Sequence, residues 1–166
     1  MHRLTVLLAL LLSACVQGAP HQVAAFRPKG APIWSAAAFE PSRLDGDWLQ
    51  VAAFSTLDSP GCAPGGAAFR RGPSGLTVTA TLCLNGEQRT VAGPVSVAGP
   101  GRIGVPGMAD WWVIWVDSGY RTLAIGTPDG TFGFVLDRGR TPADRLAAAA
   151  EIFDFNGYIS GRMKPF

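Results

Sequence analysis

Short apolar segments alternate with turn residues along most of the chain after residue 45. In residues 76–84 threonine alternates with an apolar residue, and the apolar positions are Val78, Ala80 and Leu82. A period of two is typical of a strand with one buried face. Asn85-Gly86 follows directly and is a strong signal for a tight turn into the next strand.

The same criteria predict about eight strands in an all-β chain. Nine segments are the candidates for these strands, namely residues 48–54, 66–71, 76–84, 88–91, 95–98, 102–105, 111–116, 121–126 and 131–138. Turn residues separate them, as in Asp117-Ser118-Gly119 and Pro128-Asp129-Gly130. Antiparallel strands joined by short turns pack as a sandwich or close as a barrel, which removes exposed sheet edges.

One helix is predicted after the strands, in residues 143–152, which are dense in good helix formers. Thr141 is expected to cap this helix and Pro142 to occupy its first position. Residues 157–166 are ambiguous and are compatible with a final short strand.

The N-terminus has the form of an export signal. His2 and Arg3 precede an apolar run, residues 4–12, which is too short to span a bilayer. The run ends in Leu12-Ser13-Ala14-Cys15, which resembles the bacterial lipobox. That resemblance implies cleavage before Cys15 and attachment of lipid to its sulfur. The alternative is an ordinary secretory signal with an incidental cysteine.

This interpretation divides the chain into three parts. Residues 1–14 are the signal peptide, residues 15–38 the lipidated N-terminus with its tether and flank, and residues 39–166 one globular domain. The tether itself is expected in residues 16–29, which are rich in alanine and proline. By resemblance to bacterial lipoproteins, Val16 favours the outer membrane. The predicted location is therefore the bacterial cell envelope, with a lipid anchor, facing the periplasm.

The other two cysteines fit an exported protein. With Cys15 acylated, Cys62 and Cys83 form an even pair, which in an oxidising compartment predicts a disulfide. His21 is the one histidine left in the mature chain, and with two cysteines it makes a poor metal site. We therefore expect no metal.

Charge and residue chemistry exclude several functions. The chain carries 14 basic and 12 acidic residues without a basic cluster, which argues against a nucleic-acid partner. His21 lies in the predicted tether, so the domain lacks the usual general base. No nucleophile motif and no phosphate-binding glycine loop is present. We predict no enzyme activity, no catalytic residues and no cofactor.

Three segments resemble the conserved blocks of the lipocalin family, most closely its bacterial lipoprotein members. Gly46-Asp47-Trp48 resembles the first block, residues 112–120 the second, and residues 125–138 the third. A helix follows the last strand in that family, as it is predicted to do here. The resemblance implies an eight-stranded antiparallel up-and-down β-barrel with one C-terminal α-helix.

The resemblance also implies roles for single residues. Arg138 is expected to lie across the ring of Trp48 and to close the narrow end of the barrel. The residues expected to hold this closed end, rather than a ligand, are Gly46, Trp48, Asp117, Tyr120 and Arg138.

Strand alternation predicts which side chains face the barrel interior. The candidates for lining a ligand cavity are Gln50, Ala52, Phe54, Val78, Ala80, Leu82, Trp112, Phe132 and Phe134. Gln50 is the polar one among them. Alternation also places Trp111 and Trp115 on the face opposite Trp112. A barrel of eight strands either holds one small ligand or fills with side chains, and the alternation fits both.

The favoured hypothesis is a lipid-anchored lipocalin that binds or carries a small apolar or amphiphilic molecule, such as a fatty acid or lysophospholipid. The alternative is a periplasmic protease inhibitor on a related barrel, which would act through residues 16–39. A filled barrel that serves envelope integrity without a ligand is a third hypothesis. The sequence leaves the identity of the ligand and the oligomeric state open.

Overall fold

The computed structural model describes residues 25–166, so the predicted signal peptide and Cys15 lie outside the described residues. The strands are β1 (Gly46–Phe54), β2 (Gly66–Gly72), β3 (Gly75–Leu84), β4 (Glu87–Pro94), β5 (Ser96–Gly99), β6 (Arg102–Gly104), β7 (Trp111–Val116), β8 (Thr122–Gly126), β9 (Gly133–Asp137) and β10 (Met163–Pro165). The helix α1 spans Ala143–Phe155, and short 3-10 helices lie at Pro41–Leu44 and Ser160–Arg162.

Nine strands form one antiparallel sheet in the order β4-β3-β2-β1-β9-β8-β7-β6-β5, and β10 pairs with the last residues of β1. The sheet curls into a nearly closed barrel. β4 and β5 are two halves of one bent stretch, since only Val95 separates them. β4 pairs with β3 while β5 pairs with β6, so the bend joins the two ends of the sheet.

The predicted all-β barrel with a C-terminal helix is therefore confirmed. The strand count differs by one from the predicted eight, because the bend at Val95 divides one barrel strand into β4 and β5. The ambiguous C-terminal tail does contain a short strand, β10.

The ladder registers define two ends of the barrel. At one end, here called the closed end, lie Trp48, Arg138 and the turn after β7. At the other, here called the open end, lie the loops 55–65, 85–86 and 127–132, because Leu84 pairs with Glu87 and Gly126 with Gly133. α1 packs on the outside of the barrel against β7 and β8.

A β-bulge in β1 changes which residues face inward. The pairing of β1 with β9 shifts between Gln50 and Ala52, which inserts one extra residue. Every later side chain of the strand therefore changes face. Ala53 packs in the interior, whereas Ala52 and Phe54 pack outside, under α1. The prediction that Ala52 and Phe54 line the interior is wrong for this reason.

A second bulge in β7 has the same effect on the tryptophans. Trp111 and Val113 face the interior, and the register shifts before Trp115. Trp112 and Trp115 consequently both pack in the outer cluster beside α1. The prediction that Trp112 faces the interior is wrong, and so is the prediction that Trp111 and Trp115 share a face.

The helix also departs from its prediction at both ends. Pro142 is the N-cap residue, and the hydroxyl of Thr141 makes no cap hydrogen bond and is buried without a partner. The helix continues three residues beyond the predicted end at Ile152 and stops at Phe155. Gly157 follows with φ +79°, a left-handed conformation that glycine adopts without strain.

The packed structure begins at Phe26, before the predicted end of the tether at residue 29 and the predicted start of the domain at residue 39. Phe26 and Arg27 are 2% and 3% exposed. The Phe26 N–H donates to the Gly130 carbonyl at 2.7 Å, and the Ile159 N–H donates to the Phe26 carbonyl at 2.8 Å. Residues from Phe26 onward thus belong to the packed structure. Within residues 25–166, no helix has both the length and the apolar character needed to cross a membrane.

Candidate ligand site in the barrel

The closed end is built around Arg138. Its guanidinium carbon lies 4.1 Å from the centre of the Trp48 ring, a cation–π contact. Nη2 donates to the carbonyls of Arg43 and Asp45 at 2.8 and 2.9 Å. A Cβ atom on Gly46 would lie 2.5 Å from Arg138 Nη1, so a side chain at this position would displace the guanidinium.

Tyr120 links the turn after β7 to the chain segment that crosses the closed end. Its hydroxyl accepts the Glu40 N–H at 2.8 Å, and its carbonyl accepts Arg138 Nε at 3.0 Å. Its ring stacks on Phe39, and the guanidinium carbon of Arg43 lies 3.7 Å from the ring centre. Tyr120 thereby binds two segments that are distant in the sequence.

Asp117 shapes the same turn. Its Oδ1 accepts the N–H groups of Arg121 and Thr122 at 2.5 and 2.7 Å, and its Oδ2 lies 3.2 Å from Arg121 Nε. Burial disfavours the carboxylate, but these hydrogen bonds and the Arg121 charge outweigh burial and lower the pKa of Asp117. The five residues of the expected closing signature therefore lie together at this end.

Gln50 is buried, and both polar atoms of its amide are hydrogen bonded to the backbone. Nε2 donates to the Cys83 carbonyl and Oε1 accepts the Cys83 N–H, both at 2.8 Å. The side-chain amide thus pairs with Cys83 of β3 as the backbone of a neighbouring strand would. It does so just before the start of β2 at Gly66, the strand that pairs with the rest of β3. Oε1 also accepts the Gly65 N–H at 3.3 Å. The predicted cavity residue Gln50 therefore supports the barrel wall through both of its polar atoms.

The predicted disulfide between Cys62 and Cys83 is confirmed, with the two Cα atoms 5.7 Å apart. It ties the loop 55–65 to the end of β3, beside Gln50. The bond and the Gln50 amide together fix the wall of the barrel near its open end.

The remaining cavity candidates do meet in the interior. Val78, Ala80, Leu82, Phe132 and Phe134 belong to the inner apolar cluster. All but Phe132 are 2% exposed or less, and Phe132 is 8% exposed. A water-sized cavity would leave accessible area on the side chains that line it. Side chains therefore fill the barrel at the level of these four residues.

Trp111, which the sequence reasoning did not place in the interior, lies at the centre of it. Its ring is fully buried and stands almost perpendicular to Phe134 at 5.0 Å and to Phe69 at 6.4 Å. Among the described residues no acceptor reaches its Nε1. A buried indole N–H normally finds a partner, so this donor is unusual. Neighbouring ring faces offer at best a weak acceptor.

A cleft of about 380 Å³ lies at the bend between β4 and β5. It is shallow and open to solvent, and it is lined by Pro94, Val95, Ser96, Gly104, Val105, Pro106 and Asp110. Val105 belongs to the buried inner cluster, and Val95 packs against it.

Asp137 and Tyr158 are buried titratable groups that make structural contacts. Asp137 is buried and accepts from Thr122 Oγ1 at 2.6 Å and from Arg145 Nη1 at 3.1 Å, which attaches the first turn of α1 to the barrel. Burial raises the pKa of Tyr158, whose hydroxyl contacts the Thr127 N–H and the Phe132 carbonyl. Within residues 25–166 no three His, Cys, Asp or Glu side chains are placed to share a metal ion.

A barrel with an arginine over a tryptophan at one end and an apolar interior defines a recognisable class of β-barrel. A family model described as lipocalin-like domain matches residues 39–165. The chain therefore belongs to the lipocalin family. Among curated protein sequences, none matches this chain significantly.

Solved structures share this fold at low sequence identity. The cockroach allergen Per a 4 has 12% identity and a TM-score of 0.59, covering 83% of this chain and 94% of its own. Insecticyanin of the tobacco hornworm Manduca sexta has 12% identity and a TM-score of 0.61, covering 85% and 87%. Lobster apocrustacyanin A1 has 11% identity and a TM-score of 0.56, covering 84% and 88%. At these identities the likeness concerns the fold alone.

Proposed function

We propose that this protein is a lipid-anchored lipocalin of the bacterial cell envelope that binds a small amphiphilic molecule inside its barrel. The ligand class is a fatty acid, lysophospholipid or similar molecule with one polar end. The protein acts as a binder or carrier rather than as an enzyme. Cys15 carries the anchor, and the barrel lies at the periplasmic face of the outer membrane.

The observation that carries this proposal is the unpaired indole N–H of Trp111. The interior around it is apolar, and an unpaired buried donor costs about 1–3 kcal/mol. A ligand carboxylate or carbonyl oxygen would supply the missing acceptor, while its hydrocarbon chain would pack among Leu82, Phe132 and Phe134. This arrangement is typical of small-molecule sites, which combine apolar walls with few polar groups.

Binding requires side chains to move, because the interior is filled around Trp111. Phe132 is the most exposed of the interior candidates and lies at the end of the loop 127–132, at the open end. We propose that its ring swings aside to admit the hydrocarbon chain. Phe134 and Trp111, which are fully buried, would then form the inner limit of the site.

The alternative function, protease inhibition through the N-terminal segment, has less support. Phe26 and Arg27 are buried, and the backbone of Phe26 is hydrogen bonded on both sides. Inserting residues 26–39 into a protease cleft would require these contacts to break.

A competition experiment tests the ligand proposal. Delipidated protein is titrated with a dansyl-labelled fatty acid, which is then displaced by dodecanoic acid or by dodecane. We expect micromolar binding of the acid, and we expect Trp111→Phe to weaken it about tenfold or more, because a hydrogen bond to a charged group is lost. Dodecane, which has no acceptor, should bind the two proteins alike.

Trp34→Phe is the matched control, since it removes an indole that is 51% exposed and lies outside the barrel. It should leave both affinities unchanged. Absence of uptake by the wild-type protein at micromolar concentration would contradict the proposal and favour the filled barrel. Mass spectrometry of protein purified from its own membrane fraction tests the acyl group on Cys15 separately.

A further inference from the structure

Three large apolar side chains are exposed near the point where the N-terminal segment joins the domain. They are Trp34, Phe155 and Ile159, which are 51%, 70% and 57% exposed. Trp34 and Phe155 contact each other, with ring centres 5.3 Å apart. The Trp34 N–H also donates to Asn156 Oδ1 at 2.8 Å, which fixes this segment against the end of α1.

Ile159 connects this surface to the N-terminal segment. Its N–H donates to the Phe26 carbonyl at 2.8 Å, and the Phe26 N–H donates to the Gly130 carbonyl. The chain therefore joins the domain beside Ile159 and beside the loop 127–132 of the open end. Exposed tryptophan and phenylalanine are typical of protein surfaces that lie at a membrane interface.

We infer that Trp34, Phe155 and Ile159 form a membrane-docking face that contacts the bilayer carrying the lipid on Cys15. The inference rests on the proposed acylation of Cys15 for its orientation. Residues 16–25 span at most about 35 Å when fully extended, so the anchor keeps this side of the domain close to the bilayer. Because the anchor already holds this surface near the bilayer, its insertion costs less translational entropy than it would in an unanchored protein.

Docking through this face turns the loop 127–132 toward the bilayer, because Phe26 binds that loop directly. The open end of the barrel then lies beside the lipid that would supply or receive an amphiphilic ligand. The contact is apolar, so it should persist at high salt, unlike attraction between a basic patch and anionic lipid.

Quenching of tryptophan fluorescence by brominated lipid tests the inference. The Cys15→Ser chain, without residues 1–14 and with an N-terminal hexahistidine tag, is bound to phosphatidylcholine vesicles that contain a nickel-chelating lipid and brominated acyl chains. This anchor replaces the proposed acyl group, so the outcome does not depend on acylation. Trp48 and Trp111 are buried, and Trp34 is the most exposed tryptophan of the described residues.

We expect strong quenching in this protein and at least a threefold smaller quenching in Trp34→Phe. Phe155→Ser keeps Trp34 and should also reduce the quenching at least twofold, because the docking contact is weakened. Leu49→Ser is the matched control: Leu49 is 55% exposed but lies on β1, where it pairs with Asp137 near the closed end. This variant should be quenched as strongly as the parent.

Equal quenching in the parent and in Trp34→Phe would overturn the inference, as would equal quenching in Phe155→Ser and Leu49→Ser. Circular dichroism of each variant establishes that its fold is retained. If docking is observed but native Cys15 carries no acyl group, the docking face stands and the proposed anchor fails. If Cys15 is acylated and no docking is observed, the proposed anchor stands and the docking face fails.

Discussion

The two ends of the barrel are held by different chemistry. At the closed end a guanidinium, aromatic rings and a carboxylate form one network across three chain segments, centred on Arg138, Trp48 and Asp117. Toward the open end, neutral groups support the wall, namely the Gln50 amide, the Cys62–Cys83 disulfide and the Tyr158 hydroxyl. The charged Arg27 also contacts this end, where it donates to the Pro128 carbonyl, while the inner cluster of the barrel stays apolar.

This difference matters for ligand binding. A charged group in the middle of the barrel would need a partner or would pay a large desolvation cost. Gln50 and Tyr158 stabilise the open-end wall with bonds directed along the wall, so neither places an unpaired polar atom inside. Trp111 Nε1 is then the distinctive polar atom of the inner cluster. Substitutions at each end measure separately how much the charged network of the closed end and the neutral groups of the open end stabilise the barrel.

The largest expected effect is at the closed end. Trp48→Ala removes a side chain that is 2% exposed, together with its contact to Arg138 and its hydrogen bond to the Leu44 carbonyl. We expect a loss of about 3–5 kcal/mol in the free energy of unfolding. Guanidinium denaturation under oxidising conditions measures it. A loss below about 1 kcal/mol would contradict a structural role for this contact.

Gln50→Leu tests the neutral support of the open end. The change leaves the N–H and carbonyl of Cys83 and the N–H of Gly65 without their side-chain partner. Each buried unpaired group costs about 1–3 kcal/mol, and we expect a total loss of about 2–4 kcal/mol. The same denaturation assay measures it. If Gln50 instead served the ligand, fatty-acid affinity would fall while stability remained unchanged.

A smaller effect is expected for Tyr158→Phe. The hydroxyl receives the Thr127 N–H at 2.7 Å and contacts the Phe132 carbonyl at 2.8 Å. Its removal should cost about 1–2 kcal/mol. Because these bonds hold the loop 127–132, amide hydrogen exchange should rise at Thr127 more than at residues of β3. Uniformly faster exchange would indicate a global effect only.

The smallest expected effect is the contribution of Asp117, at the closed end, to the pH dependence of the free energy of unfolding. The pKa of Asp117 is lowered in the folded protein, so its contribution to stability is present above the unfolded pKa of about 3.9 and is lost as the pH falls through the folded value. The pKa of Asp129, in the loop 127–132, is lowered in the same sense, by hydrogen bonds from Thr131 that outweigh burial. Unfolding measured from about pH 6 downward should show a decline that is shallower in Asp117→Asn. An unchanged slope would assign the decline to other groups.

The sequence supports the strand pattern, the helix and the disulfide because each depends on local residue types. Interior positions in β3 also follow from simple alternation, since this strand is regular along Val78, Ala80 and Leu82. Alternation fails in β1 and β7, where a bulge shifts the phase by one residue. Val51 and Ile114, the extra residues at these bulges, are ordinary strand residues, so alternation places Ala52 and Phe54 on the wrong face and Trp115 on the same face as Trp111.

The candidate site was predictable only in part for a related reason. Two adjacent tryptophans, Trp111 and Trp112, offer equal apolar bulk, and alternation alone does not say which of them points inward. The role of Gln50 depends on Cys83, which is 33 positions away and meets it only in the folded barrel. A glutamine at an inward strand position looks the same in the sequence whether its amide binds the backbone or a ligand, so the sequence does not distinguish these two roles.

Arg27 gives the attachment of the N-terminal segment a mechanical property. This buried guanidinium donates to four backbone carbonyls, those of Asn156, Pro128, Ala31 and Pro32, which belong to three separate parts of the domain. A force applied through the N-terminal segment is therefore shared among these hydrogen bonds at the same time, and the contacts do not break one after another. Pulling on the N-terminal segment should therefore move the barrel as one body, and the segment should detach only when all the hydrogen bonds of Arg27 break together.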